Sequence, residues 1–136
     1  MLTERRFNSM PIGAGHMQLL DFTPGRAAPI PDYDSHDAYA LPLADGRGEG
    51  HVYCIRIEPG GAIGPHEASF GQLFLVVAGS GWVSGGDGAR QPLGVGRGAF
   101  IGRGEVHAKG SDSGLTAIMV QLTDLTVAPI APGPSR

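Results

Sequence analysis

Two histidines, His66 and His107, are the residues of this 136-residue chain best placed to do chemistry. Each lies in a stretch that reads as a strand entered through a Gly-rich turn. The first is PGGAIGPHEASFGQLFLVVAGSGWV from Pro59 to Val83, and the second is GRGEVHAKG from Gly102 to Gly110. Side chains of a strand alternate between faces with period two. His66, Ala68 and Gln72 therefore share one face of the first stretch, and Glu105, His107 and Lys109 share one face of the second. Inside a small barrel these polar groups would meet and would need partners, since an unpaired buried one costs about 1–3 kcal/mol. Two arrangements satisfy them. Imidazole, carboxylate and amide oxygen can ligate a divalent transition metal. The same groups can also form a metal-free hydrogen-bonded network around a small ligand or water.

The elements that must position these residues are strands. From His51 onward short apolar runs alternate with Gly-rich turns, which points to an all-β sandwich or barrel. HVYCIRIE puts Tyr53, Ile55 and Ile57 on one face. QLFLVVA, GAFIG and LTAIMVQL (Leu115 to Leu122) are further strands, and a hairpin turn is expected at Asp87-Gly88 or its glycine neighbours. ADGRGEG, Ala44 to Gly50, reads as a turn cluster. Residues 1–44 form an irregular arm with two short strands, because Pro24, Pro29, Pro31 and Pro42 forbid a long helix. Residues 45–127 form the barrel, and the Pro-rich tail of residues 128–136 lies outside the sheet.

Composition narrows the function. A chain of this length makes one domain and needs no disulfide staples. Glycine, at 23 residues, and proline, at 11, fit many tight turns. The net charge is −3, and the basic residues are scattered rather than striped, which argues against a nucleic-acid partner. No run approaches a membrane span and no signal-peptide core follows the N-terminus, so a cytoplasmic protein without a membrane partner is expected. The single cysteine, Cys54, is expected to be a buried, inert thiol in its strand. The segment GVGRGA, Gly94 to Ala99, matches the dinucleotide pattern but is followed by a strand and turn instead of the helix that pattern requires.

The two histidine stretches resemble the paired motifs of the cupin superfamily. In the first, Gly60 and Gly61 lead and His66 matches the first histidine of a His-x-His pair. Ala68 takes the place of the second, Gln72 that of the glutamate, and Gly79 that of the closing glycine. In the second, Gly96 opens, Gly102 stands where proline is usual, Gly104 lies in the turn, and His107 matches the metal histidine. Ser111 replaces the closing asparagine. The resemblance spans Pro59 to roughly Ser111. It implies a single-domain, jelly-roll-like cupin β-barrel that forms a homodimer and takes a small-molecule substrate or ligand.

It also implies a divalent metal (Fe, Mn, Ni or Zn), but with an altered ligand set. Ala68 cannot ligate, and Gln72 offers only a neutral carbonyl. The expected metal site is His66, Gln72, His107 and Glu105, with Glu105 a ligand or a hydrogen-bond partner to one and also the candidate catalytic base. The alternative for Glu105 is an exposed turn carboxylate next to Arg103 with no role. The metal reading makes the protein an oxygenase or isomerase acting on a small organic substrate. The metal-free reading makes it a binding or sensing protein. Lys109, the only lysine, shares the His107 face, where it could meet an anionic substrate, but is expected to snorkel to the barrel rim. Phe70, Phe74, Trp82 and Phe100 are expected in the barrel wall.

Overall fold

The computed structural model describes residues 17–128. Ten strands carry the fold: β1 (Gln18–Asp21), β2 (Ala28–Pro29), β3 (Tyr39–Ala40), β4 (Ala44–Ile57), β5 (Ala62–Glu67), β6 (Gly71–Ser84), β7 (Arg90–Gly94), β8 (Arg97–Ile101), β9 (Val106–Gly110) and β10 (Leu115–Val127). One 3-10 turn, Pro24–Arg26, follows β1. The first sheet runs β1-β8-β6-β10-β4, antiparallel throughout. A second layer joins β5 to β9, β9 to β6 and β6 to β7. β2 and β3 form a separate two-stranded ribbon in the arm. The 128–136 tail lies outside the described residues beyond Ala128.

Strand β6 belongs to both layers and ties them into one jelly-roll-like fold. Its first half, Gln72 to Leu75, pairs with β8 and β10. Its second half, Ser80 to Ser84, pairs with β7 and β9. The chain changes sheets at Gly79 and Gly81. Gly79 has φ +75°, and a Cβ there would strike the Gly114 carbonyl oxygen; a Cβ at Gly81 would strike that of Gly110. Only glycine meets both demands at Gly79.

The interior between the layers is mainly apolar. Phe74, Val76, Val83, Ala99, Ile101, Leu115 and Ala117 pack there with Ile57, Ala68, Leu93 and Met119. A second cluster of Leu20, Leu73 and Phe100 lies apart from it, with Leu43, Leu75 and Val120 against it. The aromatic expectations hold for Phe74 and Phe100, which are buried. Trp82 is half-buried and stacks under the Arg90 guanidinium at 3.8 Å. The turn expected at Asp87-Gly88 is present: the Asp87 carboxylate accepts the Ala89 N–H at 2.9 Å, and Gly88 has φ +76°.

Two expectations are corrected. Ala44 to Gly50 is not a turn but the first half of β4, paired with β10 from Ala44↔Val127 onward across a bulge near Thr123. The glycines serve packing here, since a Cβ on Gly46 or Gly50 would collide with the Leu122 side chain. Cys54 is exposed. Tyr53, Ile55 and Ile57 do share a face, but burial rises only toward Ile57, and Tyr53 stays exposed.

Candidate functional site

The site is assembled by one strand pair and the first half of β6. In the β5–β9 ladder His66 lies directly opposite His107, after an irregularity between Ile63 and His66 where Gly64 and Pro65 sit. The two imidazole rings lie with centroids 4.4 Å apart and planes inclined by 55°. His66 is exposed at the surface end of the pair, and its Nδ1 donates to the Gly64 carbonyl at 2.8 Å. His107 is 1% exposed. Gln72 enters from β6 and is 3% exposed.

Lys109 does not reach the rim. It is 1% exposed, its chain running into the core on the His107 side of β9. The ammonium donates to Gln72 Oε1 and stands 3.2 Å from His107 Nδ1. It also lies 5.0 Å from the centre of the Phe74 ring, a cation–π distance. The alternation of β9 did place Lys109 on the face of His107. Snorkelling is the usual escape from desolvation, but here three partners inside the barrel offset that cost. The sequence signal for Lys109 was thus its parity with His107, not its charge.

Charge at the site follows from this packing. Burial, then the Lys109 charge, then His66 hold the His107 pKa down from 6.5 to about 3, so the ring is neutral at pH 7. Burial lowers Lys109 from 10.5 to about 8, which leaves it mostly an ammonium at that pH. An ammonium has donors and no acceptor. His107 Nδ1 must therefore be the lone-pair nitrogen, and Nε2 carries the ring proton. That Nε2 is buried and has no hydrogen-bond partner among the described residues.

Glu105 lies in the turn before β9. One carboxylate oxygen accepts the Gly102 backbone N–H at 2.5 Å, and the Glu105 backbone N–H donates to the Gly102 carbonyl at 3.0 Å. The side chain also lines an open groove of about 670 Å³ with Met17, Leu19, Asp87, Gln91 and Val106. Neither histidine lines that groove. The structure thus brings together His66, His107 and Gln72 of the expected ligand set, with Lys109 among them, and gives Glu105 a turn-closing role.

No protein-family model and no curated protein matches the chain. Solved structures do. A cupin-like protein from Thermotoga maritima aligns with TM-score 0.52 and 21% identity over 61% of this chain and 67% of its own. A cupin superfamily protein from Desulfitobacterium hafniense aligns with TM-score 0.52 and 14% identity over 73% of this chain and 99% of its own. A Klebsiella pneumoniae protein with a double-stranded β-helix domain aligns with TM-score 0.51 and 18% identity, over 79% and 88%. This chain has the cupin fold. At such identities the likeness carries architecture and no activity.

The residues present do not fit the metal that the cupin resemblance implies. Ala68 is buried where a second histidine would sit, and offers no donor. Gln72 Oε1 and His107 Nδ1 are both engaged by the Lys109 ammonium. A divalent ion placed among these groups would face that positive charge at short range in a low-dielectric interior. Among the described residues, no group of three or more His, Cys, Asp or Glu side chains could hold a metal ion. No helix among them is long and apolar enough to cross a membrane.

Proposed function

We propose that this cupin is a metal-free small-molecule protein whose interior cation is Lys109. One observation carries the reading: a single buried ammonium binds two of the groups expected to ligate a metal, Gln72 and His107. The ammonium satisfies Gln72 and fixes the His107 tautomer. It leaves one unspent donor, the His107 Nε2–H, beside the exposed His66. A donor of this kind suits a ligand that presents an oxygen acceptor, such as a carbonyl or carboxylate group. The metal-dependent oxygenase or isomerase reading loses its ligand set under this arrangement, and Glu105 loses its place as base.

The homodimer implied by the resemblance is part of the same proposal. Val52 and Tyr53, exposed on the edge strand β4, and Val77 on β6 supply apolar surface for it.

Metal analysis tests the central point. The protein, purified without a histidine tag and dialysed against Fe, Mn, Ni or Zn, is expected to retain far less than a stoichiometric amount of any of them. Stoichiometric retention that is lost in His107→Gln would overturn the reading and restore the metalloenzyme.

A further inference from the structure

Resting on the metal-free reading, we propose that the His66–His107 pair enolises a small aldehyde or ketone bearing an α-hydrogen, with His107 Nε2–H as the electrophile and His66 Nε2 as the base. His107 Nε2 is buried and has no partner among the described residues. Its proton is fixed there because Lys109 occupies Nδ1. A neutral imidazole can polarise a carbonyl oxygen. A cation bonded to its far nitrogen makes the N–H a stronger donor, because it stabilises negative charge building beyond the ring.

His66 supplies the complementary half. Its Nδ1 is committed as a donor to the Gly64 carbonyl, so in the neutral ring Nε2 holds the lone pair. The pair therefore presents one donor and one acceptor nitrogen on rings 4.4 Å apart.

The electron balance is closed without a co-reactant. His66 Nε2 takes the α-proton, the C–H electrons form the carbon–carbon double bond, and the carbonyl π electrons move to the oxygen held by His107. Return of a proton to the same carbon gives exchange with solvent. In an α-hydroxy carbonyl, the α-hydroxyl proton can pass to the oxygen held by His107. Return of the abstracted proton to the former carbonyl carbon then re-forms the C=O at the other carbon and gives isomerisation. Lys109 touches neither reacting atom and is a positioning residue acting through His107.

The test is α-hydrogen exchange in D₂O, followed by proton NMR with pyruvate and dihydroxyacetone as probes, on the full chain. The wild type is expected to exchange at least one probe faster than free imidazole at equal concentration. His66→Gln and His107→Gln are each expected to slow that exchange by about 10²-fold or more. Circular dichroism on His66→Gln, an exposed position, separates this loss from misfolding. Lys109→Met is expected to lower kcat while KM holds, the pattern of an interaction that strengthens in the transition state; a raised KM at unchanged kcat would remove Lys109 from the mechanism. If the His107 imidazole signals shift on adding a probe yet no exchange exceeds free imidazole, the enolisation inference is overturned and the binding reading stands. If neither probe shifts those signals and the protein retains stoichiometric metal, both are overturned.

Discussion

The residue that reorganises this site is Lys109. A buried lysine needs partners that repay its lost hydration, and here Gln72, His107 and the Phe74 ring provide them. The two polar groups are coupled through one ammonium, which a double-mutant cycle can read. Gln72→Leu and Lys109→Met each strand the other's polar atom, while the double variant strands neither. Chemical denaturation should show the double variant less destabilised than the sum of the singles, with a coupling of about 0.5–3 kcal/mol. Additive effects would mean that the bond contributes nothing.

The same packing makes a pH prediction. The folded-state pKa of His107 is depressed to about 3 against 6.5 unfolded. Such a group contributes stability that is present above the unfolded value and is lost as pH falls from about 6.5 toward 3. The slope from this one group reaches about 1.4 kcal/mol per pH unit. Denaturation midpoints of His107→Gln should lack that share of the acid sensitivity. Lys109 has the same sign at the alkaline end: its folded pKa is about 8 against 10.5. Stability gained from it rises between those values.

At the scale of elements, the histidine strands were legible because alternation and turn glycines are local properties. The parity of each stretch bore on which face each histidine takes, while the direct His66↔His107 pairing follows from the β5–β9 register, which no local pattern shows. What was not legible depended on distant strands. Ala44 to Gly50 looks like a turn by composition, and becomes a strand because β10 runs alongside and Leu122 needs the space above Gly46 and Gly50. Cys54 looks buried by its apolar neighbours, yet β4 is the end strand of its sheet. Glu105 reads as a ligand candidate by its parity with His107, and what parity could not show is the bond of one of its carboxylate oxygens to the Gly102 N–H.

The sheet change in β6 gives a prediction of its own. Gly79→Ala forces a side chain into φ +75° and against the Gly114 carbonyl. Urea denaturation should show a loss of about 1–3 kcal/mol from the backbone conformation alone, with the collision adding to it. Gly88→Ala has the same sign of φ but open space around it, so its loss should be the smaller of the two.

At the scale of the molecule, a cupin barrel is a way of pointing a few polar groups into a closed apolar interior. In this chain the interior holds His107, with His66 opposite it at the surface, and on the proposed reading the Lys109 ammonium stands in for a metal's charge. On that reading His107 Nε2 carries a proton and not a lone pair. The tautomer is therefore the point at which the account is most exposed. Long-range ¹H–¹⁵N correlation spectra of histidine-labelled protein at neutral pH report it directly. The account predicts that His107 is neutral with the proton on Nε2 and a bare Nδ1, and that Lys109→Met perturbs the Nδ1 signal. A His107 protonated on Nδ1, with its Nε2 lone pair free to ligate, would contradict it.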